Sequence, residues 1–335
     1  MTTSNAPYCI EDRIVIDDRL AARGRDVLIA DVFDGLSDTP KRLSSMFFYD
    51  GRGSQLFEEI TTLPEYYPTR IEKRLLEGFA RAEAPGWSDL DIIELGSGDC
   101  TKISLILDGV DGDCMPSIRY IPVDVSAFAI RQSAEALTHT YPGLTVHGLV
   151  ADFLTQLPCI PCARPRLFCL LGSTIGNLSV AQRQAFLQDL GRAMQPGDEF
   201  LLGVDLVKPV EVLERAYNDS RGVTAAFNRN ILRVVNELAE TDFRPEWFDH
   251  VAFYDPGQAR VEMHLRATKD MEVATPLGRE ATLGVRKDET IHTENSHKFT
   301  IPQGRRLLES AGLEVVSYRQ DPKQWFALLR ACKPS

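Results

Sequence analysis

At 335 residues the chain is long enough to bury a full hydrophobic core, although length alone leaves the number of domains open. The formal net charge of −11 at pH 7 argues against a nucleic-acid partner, because a polyphosphate would meet mostly like charge. The sequence shows no leader peptide and no apolar run of ~18 residues, so we expect a cytoplasmic protein that does not use a membrane.

Cysteine and histidine spacing gives little reason to expect a metal. The seven cysteines are odd in number and lack a framework spacing, which is typical of free thiols in a reducing compartment. Cys159 and Cys162 have the spacing of a zinc half-site or a redox pair, but no second such pair and no HxxxH accompanies them. The histidines form no HExxH motif. We therefore predict no metal site.

The middle of the chain alternates apolar runs with helical patterns. The apolar runs, closed by glycine or polar residues, predict strands at 91–95, 118–125, 144–150, 167–171 and 200–206. The helical patterns cover 101–107, 127–138 and 180–194. Strands alternating with helices of this length indicate a parallel sheet covered on both faces. The predicted fold class is doubly wound, Rossmann-like α/β.

The alternation stops after residue 207. A helical region at 211–240, interrupted near Gly222, is followed by antiparallel strands within 251–266 and 271–285. From residue 302 a helix and two strands, at 313–318 and 325–331, restore the α/β pattern. We predict a sheet domain of residues 61–207 and 298–335. A second α+β domain would combine residues 10–60, predicted to be mostly helical, with the insertion 208–297, and a ligand cleft is expected between the two domains.

Three consecutive predicted strands end in residues suited to a nucleoside. Gly96 and Gly98 follow the first and let the backbone approach a ligand closely. Asp124 ends the second and can accept hydrogen bonds from ribose hydroxyls. Asp152 and Phe153 end the third, where they suit the amino group and the face of adenine. This order of residues predicts a nucleoside-bearing cofactor in the sheet domain.

Charge distinguishes between two such cofactors. The GxGxxG fingerprint of nicotinamide cofactors is incomplete, because Thr101 stands where its last glycine would be. Glu94, next to the glycine turn, would repel a pyrophosphate. S-adenosylmethionine has no phosphate, and acidic residues favour its sulfonium charge. We therefore predict S-adenosylmethionine as a methyl donor.

Several longer motifs point to one family of enzymes. They are residues 49–57, 63–70, 172–178, 216–217, 222–230, 262–266 and 293–296. In these stretches the chain closely resembles the histidine Nα-methyltransferases of ergothioneine biosynthesis, and the match runs in order from about residue 41 to the C-terminus. The resemblance implies S-adenosylmethionine-dependent Nα-trimethylation of L-histidine to hercynine, the first step of ergothioneine biosynthesis.

The resemblance also implies which residues bind the two substrates. It places the donor contacts on Gly96, Lys102, Asp124, Asp152 and Phe153. It places the histidine contacts on Tyr66, Asn177, Tyr217, Glu294 and Ser296, with Tyr49 nearby. Residues 99–101 depart from the small polar run typical of the family, which bears on donor affinity but not on donor identity. The implied partner is a small molecule, and we expect a monomer.

Each substrate residue has a chemical use in methyl transfer to an amine. Asn177 and Tyr217 would bind the carboxylate of histidine, and Glu294 and Ser296 its imidazole. Tyr66 would orient the amine, and with Tyr49 it would stabilise the growing ammonium by cation–π attraction. The reaction needs neither a metal nor a covalent intermediate, and the sequence identifies no general base.

The same side chains also have ordinary structural explanations. Tyr66 and Tyr67 could anchor a loop to the core, and Asn177 could cap the helix that begins near residue 180. Glu294 and Ser296 could be solvated, Lys102 could lie on a surface, and Tyr217 could lie in a core.

Three other functions stay open on sequence grounds. The chemistry could act on another amino acid or on a small biogenic amine. A methyltransferase of macromolecular amines is a second alternative, although such enzymes often carry an Asn/Asp-Pro-Pro-Tyr/Phe turn that this chain lacks. A donor-binding protein without catalysis is the third.

Overall fold

The computed structural model describes residues 8–20, 24–275 and 282–335, which fall into two compact units. The first unit comprises Met1–Ala22, Pro68–Val207 and Lys298–Ser335, and the second comprises Arg23–Tyr67 and Lys208–His297. No helix in the described ranges is long and apolar enough to cross a membrane.

The helices and strands are numbered in chain order. The strands are β1 (Tyr8–Glu11), β2 (Ile14–Asp18), β3 (Lys41–Arg42), β4 (Asp91–Leu95), β5 (Arg119–Asp124), β6 (Thr145–Val150), β7 (Arg166–Leu170), β8 (Glu199–Asp205), β9 (Phe248–Asp255), β10 (Arg260–Ala267), β11 (Met271–Ala274), β12 (Thr282–Val285), β13 (Thr290–His297), β14 (Glu314–Gln320) and β15 (Phe326–Cys332). The helices are α1 (Arg25–Ser37), α2 (Gly51–Thr62), α3 (Tyr67–Glu83), α4 (Thr101–Leu107), α5 (Ala127–Thr140), α6 (Val180–Ala193), α7 (Val210–Tyr217), α8 (Val223–Ala239) and α9 (Ile301–Ser310).

The first unit is built on one large sheet with the strand order β1-β2-β6-β5-β4-β7-β8-β15-β14. The strands from β2 to β8 in this order are parallel, and β1, β15 and β14 pair antiparallel to their neighbours. From β4 the chain moves outward through β5 and β6, then returns to place β7 on the other side of β4. This reversal makes the carboxyl end of β4 a topological switch point, where open α/β sheets bind ligands.

Apolar side chains cover both faces of the large sheet. All five residues of β4 and of β7 are buried, as expected for parallel strands between two layers of helices. One core cluster includes side chains of α4 and α5, and the other includes side chains of α6 and α9. The doubly wound α/β class predicted from the sequence is confirmed.

The second unit contains a smaller sheet with the strand order β3-β13-β10-β9 and a two-stranded pair, β11 with β12. Helices α1, α2, α7 and α8 belong to the same unit. Helix α8 buries Phe227, Ile231 and Val235, which recur at helical spacing on one face. As predicted, Gly222 interrupts the helical region, since it has a φ of 73° and precedes the first turn of α8.

The structure differs from the sequence interpretation at the N-terminus and in one polar stretch. The sequence pattern predicts a mostly helical segment over the first 60 residues, but β2 pairs with β6 in the large sheet. Residues 8–20 therefore lie in the first unit, and the second unit extends to Tyr67. Residues 290–297, for which the sequence analysis predicts no strand, form β13 because β10 and β3 pair with its two edges.

Candidate functional site

The glycine turn after β4 is held by the end of the neighbouring strand β5. Gly96 and Gly98 have φ values of 70° and 52°, which residues with side chains rarely adopt. The amide of Gly98 donates to Asp124 Oδ2 over 3.0 Å, and the amide of Ser126 donates to Asp124 Oδ1 over 2.9 Å. Burial raises the pKa of Asp124, and these backbone hydrogen bonds oppose that rise. Asp124 thus fixes the turn and holds a carboxylate beside it.

The end of β6 contributes Asp152 and Phe153 at the same edge of the sheet. Asp152 Oδ1 accepts a hydrogen bond of 3.0 Å from the Leu154 amide. A Cβ atom on Gly96 would lie 3.5 Å from the Phe153 ring, and that ring also meets the Phe186 ring at a centroid distance of 5.5 Å. The structure therefore brings Gly96 and Phe153 together, at the turn that Asp124 holds.

Lys102 is the second residue of α4, and its ammonium forms an ion pair with a buried carboxylate. Its Nζ is 2.9 Å from Glu72 Oε2, and Glu72 is fully buried. Burial lowers the pKa of Lys102, but the attraction of Glu72 outweighs it and the net shift is upward. The sequence analysis did not identify Glu72, because α3 shows an ordinary amphipathic helical pattern around this residue.

Glu94 does not carry the charge that the sequence interpretation assigned to it. Its side chain is only 2% exposed, and the Tyr120 hydroxyl donates to its Oε2 over 2.6 Å. Burial raises the pKa of Glu94 to about 8, so the carboxyl is mostly neutral at pH 7. Repulsion of a pyrophosphate by Glu94 therefore cannot identify the cofactor.

Asn177 ends a short 3-10 helix, Thr174–Asn177, that follows β7 in the first unit. The preceding Ser173 has a φ of 57°, and its hydroxyl accepts a hydrogen bond of 2.9 Å from the Asp205 amide. Helix α6 is capped by Ser179 with Gln182 in a reciprocal capping box. Capping of α6 therefore does not explain Asn177.

The adjacent tyrosines 66 and 67 have different environments in the second unit. Tyr67 is buried, and its hydroxyl accepts a hydrogen bond of 2.7 Å from Lys208 Nζ. Tyr66 is only partly buried, and its ring makes edge contacts with Phe57 and Tyr217 at 6.3 Å each. Tyr67 is thus an anchor of the kind that the structural explanation describes, whereas Tyr66 packs against two aromatic rings.

Tyr217, Glu294 and Ser296 gather on one face of the smaller sheet. Ser296 pairs with Val261 and Glu294 with Met263, and both partners on β10 are buried. The Tyr217 hydroxyl, at the end of α7, donates to Ser296 Oγ over 2.7 Å. The register shifts next to Met263, because Glu294 pairs with Met263 and His292 with His264, which leaves Thr293 as an extra residue in β13. Burial of Ser296 contradicts the solvated explanation for that residue, whereas Glu294 is partly exposed.

A buried polar network supports this face, and the sequence interpretation missed it. Asn228 on α8 is fully buried, and its Oδ1 accepts from the Thr293 hydroxyl over 2.7 Å. Its Nδ2 donates to the carbonyl of His264 at 3.0 Å and to His250 Nδ1 at 2.9 Å. Burial lowers the pKa of His250, so the ring is neutral and its Nε2 donates to the Tyr217 carbonyl over 2.8 Å. Every polar atom of the Asn228 side chain is thus used to join β13, β10, β9 and α7.

Aromatic rings extend from Tyr66 to Tyr49. The Phe57 ring lies 5.9 Å from Tyr49 and 6.3 Å from Tyr66, and Phe227 contacts both Tyr49 and Phe57. We call these four rings with Tyr217 the aromatic cluster. Phe57 and Phe227 were not predicted, although both lie inside the motifs that carry the resemblance.

The comparison with known proteins decides the family. Residues 28–333 match the family model described as histidine-specific, S-adenosylmethionine-dependent methyltransferase. The chain belongs to this family. It is 40% identical over 312 residues to histidine N-alpha-methyltransferase of Mycobacterium tuberculosis, covering 92% of this chain and 96% of the relative. It is 42% identical over 314 residues to the enzyme of the same name from Mycolicibacterium smegmatis, covering 92% and 95%.

The chain is also similar to a relative named for a different substrate. The 4-dimethylallyltryptophan N-methyltransferase of Aspergillus fumigatus is 28% identical over 324 residues, covering 90% of this chain and 91% of the relative. The activity that the names share is thus N-methylation, and the side chains proposed to select histidine need separate tests.

The residues of the first unit fit the donor that the family uses. The glycine turn leaves open space beside Gly98, where an added Cβ would meet no atom within 4 Å. Asp124 is held at the turn, the Phe153 ring flanks it, and Lys102 offers an ammonium for a carboxylate. An S-adenosylmethionine molecule has an adenine, a ribose and a carboxylate to match these groups.

One histidine and carboxylate group in the second unit has the spacing of a metal site. Glu262, His264 and His292 place ligand atoms within 4.8 Å of one another, on the sheet face opposite Glu294. Glu262 is already bound by Arg260 and by His264 Nε2, at 2.6 Å and 2.8 Å. Burial alone would raise the pKa of Glu262, but the hydrogen bonds from His264 and Arg260 outweigh it and the pKa is lowered overall. The carboxylate of this group is thus engaged by an arginine in the structure. Cys159 and Cys162 are exposed free thiols.

Proposed function

We propose that this enzyme transfers three methyl groups from S-adenosylmethionine to the α-amino nitrogen of L-histidine, giving hercynine, the first step of ergothioneine biosynthesis. The observation that carries the proposal is the match to two relatives named histidine N-alpha-methyltransferase across 92% of this chain. The polar side chains of Glu294, Ser296 and Tyr217 on one face of the smaller sheet support it, because an imidazole and a carboxylate need polar partners when they leave water. Ser296 and Tyr217 are buried, and Glu294 is partly exposed.

The donor is assigned to the first unit. S-adenosylmethionine supplies an activated methyl group on a sulfonium. Asp124 accepts hydrogen bonds from the ribose, Asp152 and Phe153 bind the adenine, and Lys102 binds the methionine carboxylate. Gly96 lets the backbone come close to the donor. In this assignment Asp124 is held by the Gly98 amide, so its carboxylate needs no reorganisation when the donor binds.

Histidine is assigned to five side chains. Asn177 and Tyr217 bind its carboxylate, Glu294 and Ser296 bind its imidazole, and Tyr66 orients the amine. A carboxylate opposite an imidazole forms a charge-assisted hydrogen bond, which few other amino acid side chains can replace. Glu294 is therefore the residue that makes histidine the preferred substrate.

The contact between Tyr217 and Ser296 limits how these roles combine. A phenol has one proton, so Tyr217 can donate either to Ser296, as in the structure, or to the carboxylate of histidine. In the second arrangement the Ser296 hydroxyl donates to Tyr217 and its oxygen accepts an imidazole N–H. Binding of histidine thus reverses the hydrogen bond between the two hydroxyls.

Three transfers to one nitrogen require a site that tolerates a growing cation. The amine must be neutral and close to the methyl group when it reacts, and it loses its proton to solvent before the site closes. After the first transfer the ammonium becomes bulkier and less hydrated. Tyr66 and Tyr49 of the aromatic cluster favour such a cation through their ring faces.

Substrate profiling tests this function directly. The protein is incubated with S-adenosylmethionine and a mixture of the twenty amino acids, and products are identified by mass spectrometry. We expect histidine to gain three methyl groups and the other amino acids to gain none. Methylation of a different amino acid, or of a small amine in a second mixture, would support the alternative substrate that the 4-dimethylallyltryptophan relative illustrates. No turnover of any amine would support a donor-binding protein.

The proposal includes a cytoplasmic monomer whose partner is a small molecule and that needs neither nucleic acid, membrane nor metal. The net charge of −11 supports the first of these exclusions. Light scattering coupled to size exclusion measures the oligomeric state, and activity after dialysis against a chelator tests the metal. A dimer, or activity restored only by added metal, would contradict these parts of the proposal.

A further inference from the structure

A single buried carboxylate lies behind the proposed donor site. Glu72 on α3 is fully buried, and its two oxygens have separate partners. Oε1 accepts a hydrogen bond of 2.7 Å from the Gly172 amide, at the turn after β7. Oε2 lies 2.9 Å from Lys102 Nζ and makes no hydrogen bond of standard geometry. The negative charge of Glu72 is therefore compensated by the ammonium of Lys102.

Two glycines leave the space that this arrangement occupies. A Cβ atom added to Gly203 on β8 would overlap Glu72 Oε1. A Cβ atom added to Gly172 would lie 2.8 Å from Lys102 Nζ. The carboxylate and the ammonium are thus confined between α3, α4 and the carboxyl ends of β7 and β8.

The charges around Lys102 make Glu72 its counter-ion. Glu94 and Asp99 also attract the ammonium, but more weakly than Glu72. The pKa of Glu94 is about 8, so this group is mostly uncharged at pH 7. An ammonium has three protons, so the ion pair with Glu72 leaves protons for another ligand.

We propose that Glu72 is a positioning residue for the methyl donor, which fixes the Lys102 ammonium in the direction from which it binds the donor carboxylate. The inference takes two points from the proposed function, namely that S-adenosylmethionine is the donor and that Lys102 binds its carboxylate. Without Glu72 the flexible lysine side chain would lose a preferred position, and donor binding would have to supply that ordering. The competing explanation is that Glu72 and Lys102 form a buried ion pair for stability alone.

The binding of S-adenosylhomocysteine, which retains the donor carboxylate, separates the two explanations. In Glu72→Gln the amide oxygen still accepts from Gly172, while the charge facing Lys102 is lost. We expect the Kd measured by calorimetry to rise about tenfold, the usual effect of one charge-assisted contact. The KM for the donor should rise with it, while the KM for histidine stays within about twofold.

Two further variants show whether Glu72 acts through Lys102. Lys102→Met should itself weaken binding, and Glu72→Gln in that background should weaken it no further. Asp198→Asn is the matched control, because Asp198 forms another buried ion pair in the first unit, with Arg166 at the start of β7. It should lower the melting temperature and leave the Kd unchanged.

Stability and function remain distinguishable. Circular dichroism and thermal melting are recorded for each variant, and Gly203→Ala serves if Glu72→Gln does not fold, because it displaces the carboxylate while keeping both charges. The inference would be overturned if the folded variant, Glu72→Gln or Gly203→Ala, bound S-adenosylhomocysteine with wild-type affinity. It would also be overturned if Glu72→Gln lowered that affinity equally in the wild-type and the Lys102→Met backgrounds. A wild-type protein that binds S-adenosylhomocysteine but does not methylate histidine would refute the proposed function and leave the inference standing.

Discussion

The hydroxyl of Tyr217 donates a 2.7 Å hydrogen bond to the hydroxyl of Ser296, joining the end of α7 to β13 within the second unit. Both residues are buried, so neither hydroxyl is simply exposed to water. The contact couples the residue proposed for the carboxylate of histidine to one proposed for its imidazole.

Removing either hydroxyl should therefore affect the same step. Tyr217→Phe and Ser296→Ala are each expected to lower kcat/KM for histidine, and the double variant should lose less than the sum. The coupling free energy should be about 1 kcal/mol, a typical value for one hydrogen bond. Steady-state kinetics of the four proteins measure it, and Tyr318→Phe, at an exposed position on β14, is the control. Strict additivity would mean that the two hydroxyls act separately.

Glu294→Ala should lower kcat/KM for histidine by on the order of 10²-fold, because the imidazole loses a charge-assisted partner. The affinity for S-adenosylhomocysteine should change little, and discrimination against phenylalanine should relax. Asn295→Ala is a matched control on the opposite face of β13, where Asn295 accepts from His292. The kcat/KM values for histidine and phenylalanine measure this selectivity. Wild-type selectivity in Glu294→Ala would contradict the proposed role of Glu294.

Asp124→Ala should weaken binding of S-adenosylhomocysteine by on the order of 1.5–3 kcal/mol. The variant loses the proposed ribose contact and also the acceptor that holds the Gly98 amide. Calorimetry gives the affinity, with Asp189→Ala on the exposed side of α6 as the control. Unchanged affinity in Asp124→Ala would remove this residue from the donor site.

Glu94 should make stability depend on pH in a defined direction. The folded state keeps the Glu94 proton up to about pH 8, whereas the unfolded chain releases it near the ordinary value of 4.5. Between these values the folded state binds more protons, so this group's contribution to the free energy of unfolding falls as pH rises. Glu94→Gln should remove that fall, and its stability relative to wild type should increase from pH 5 to pH 8. Urea unfolding at both pH values measures the difference, and an equal difference at both would contradict the shifted pKa.

Asn228→Ala should destabilise the second unit and disturb histidine binding together. The substitution removes the Asn228 hydrogen bonds to His250 Nδ1 and to the His264 carbonyl, while the Thr293 hydroxyl keeps the Met263 carbonyl as its acceptor, at a cost of roughly 2–3 kcal/mol. Because the network also reaches the Tyr217 carbonyl, the KM for histidine should rise while affinity for S-adenosylhomocysteine is kept. Thermal melting and the two binding measurements check this. A loss of stability with unchanged histidine KM would reduce the network to a structural role.

Local patterns in the sequence were enough to predict much of the first unit. The runs at 91–95 and 101–107 coincide with β4 and α4, because a fully buried parallel strand and a short amphipathic helix each have a recognisable pattern. The glycine turn, Asp124 and Asp152 follow strand ends, so their order along the chain also predicts their common edge. The fold class and the donor residues could therefore be proposed from the sequence alone.

The rest depends on contacts between residues far apart in sequence. Strand β13 is polar and becomes a strand only because β10 and β3 pair with it, and β2 joins the large sheet through β6. Glu72 meets Lys102 and Gly172 across 30 and 100 positions, and no local pattern encodes such a meeting. The sequence by itself determined the alternating α/β fold and, through its motifs, the family. Only the tertiary structure decided which buried charges are compensated and by which partner, because burial and pairing are properties of the packed chain.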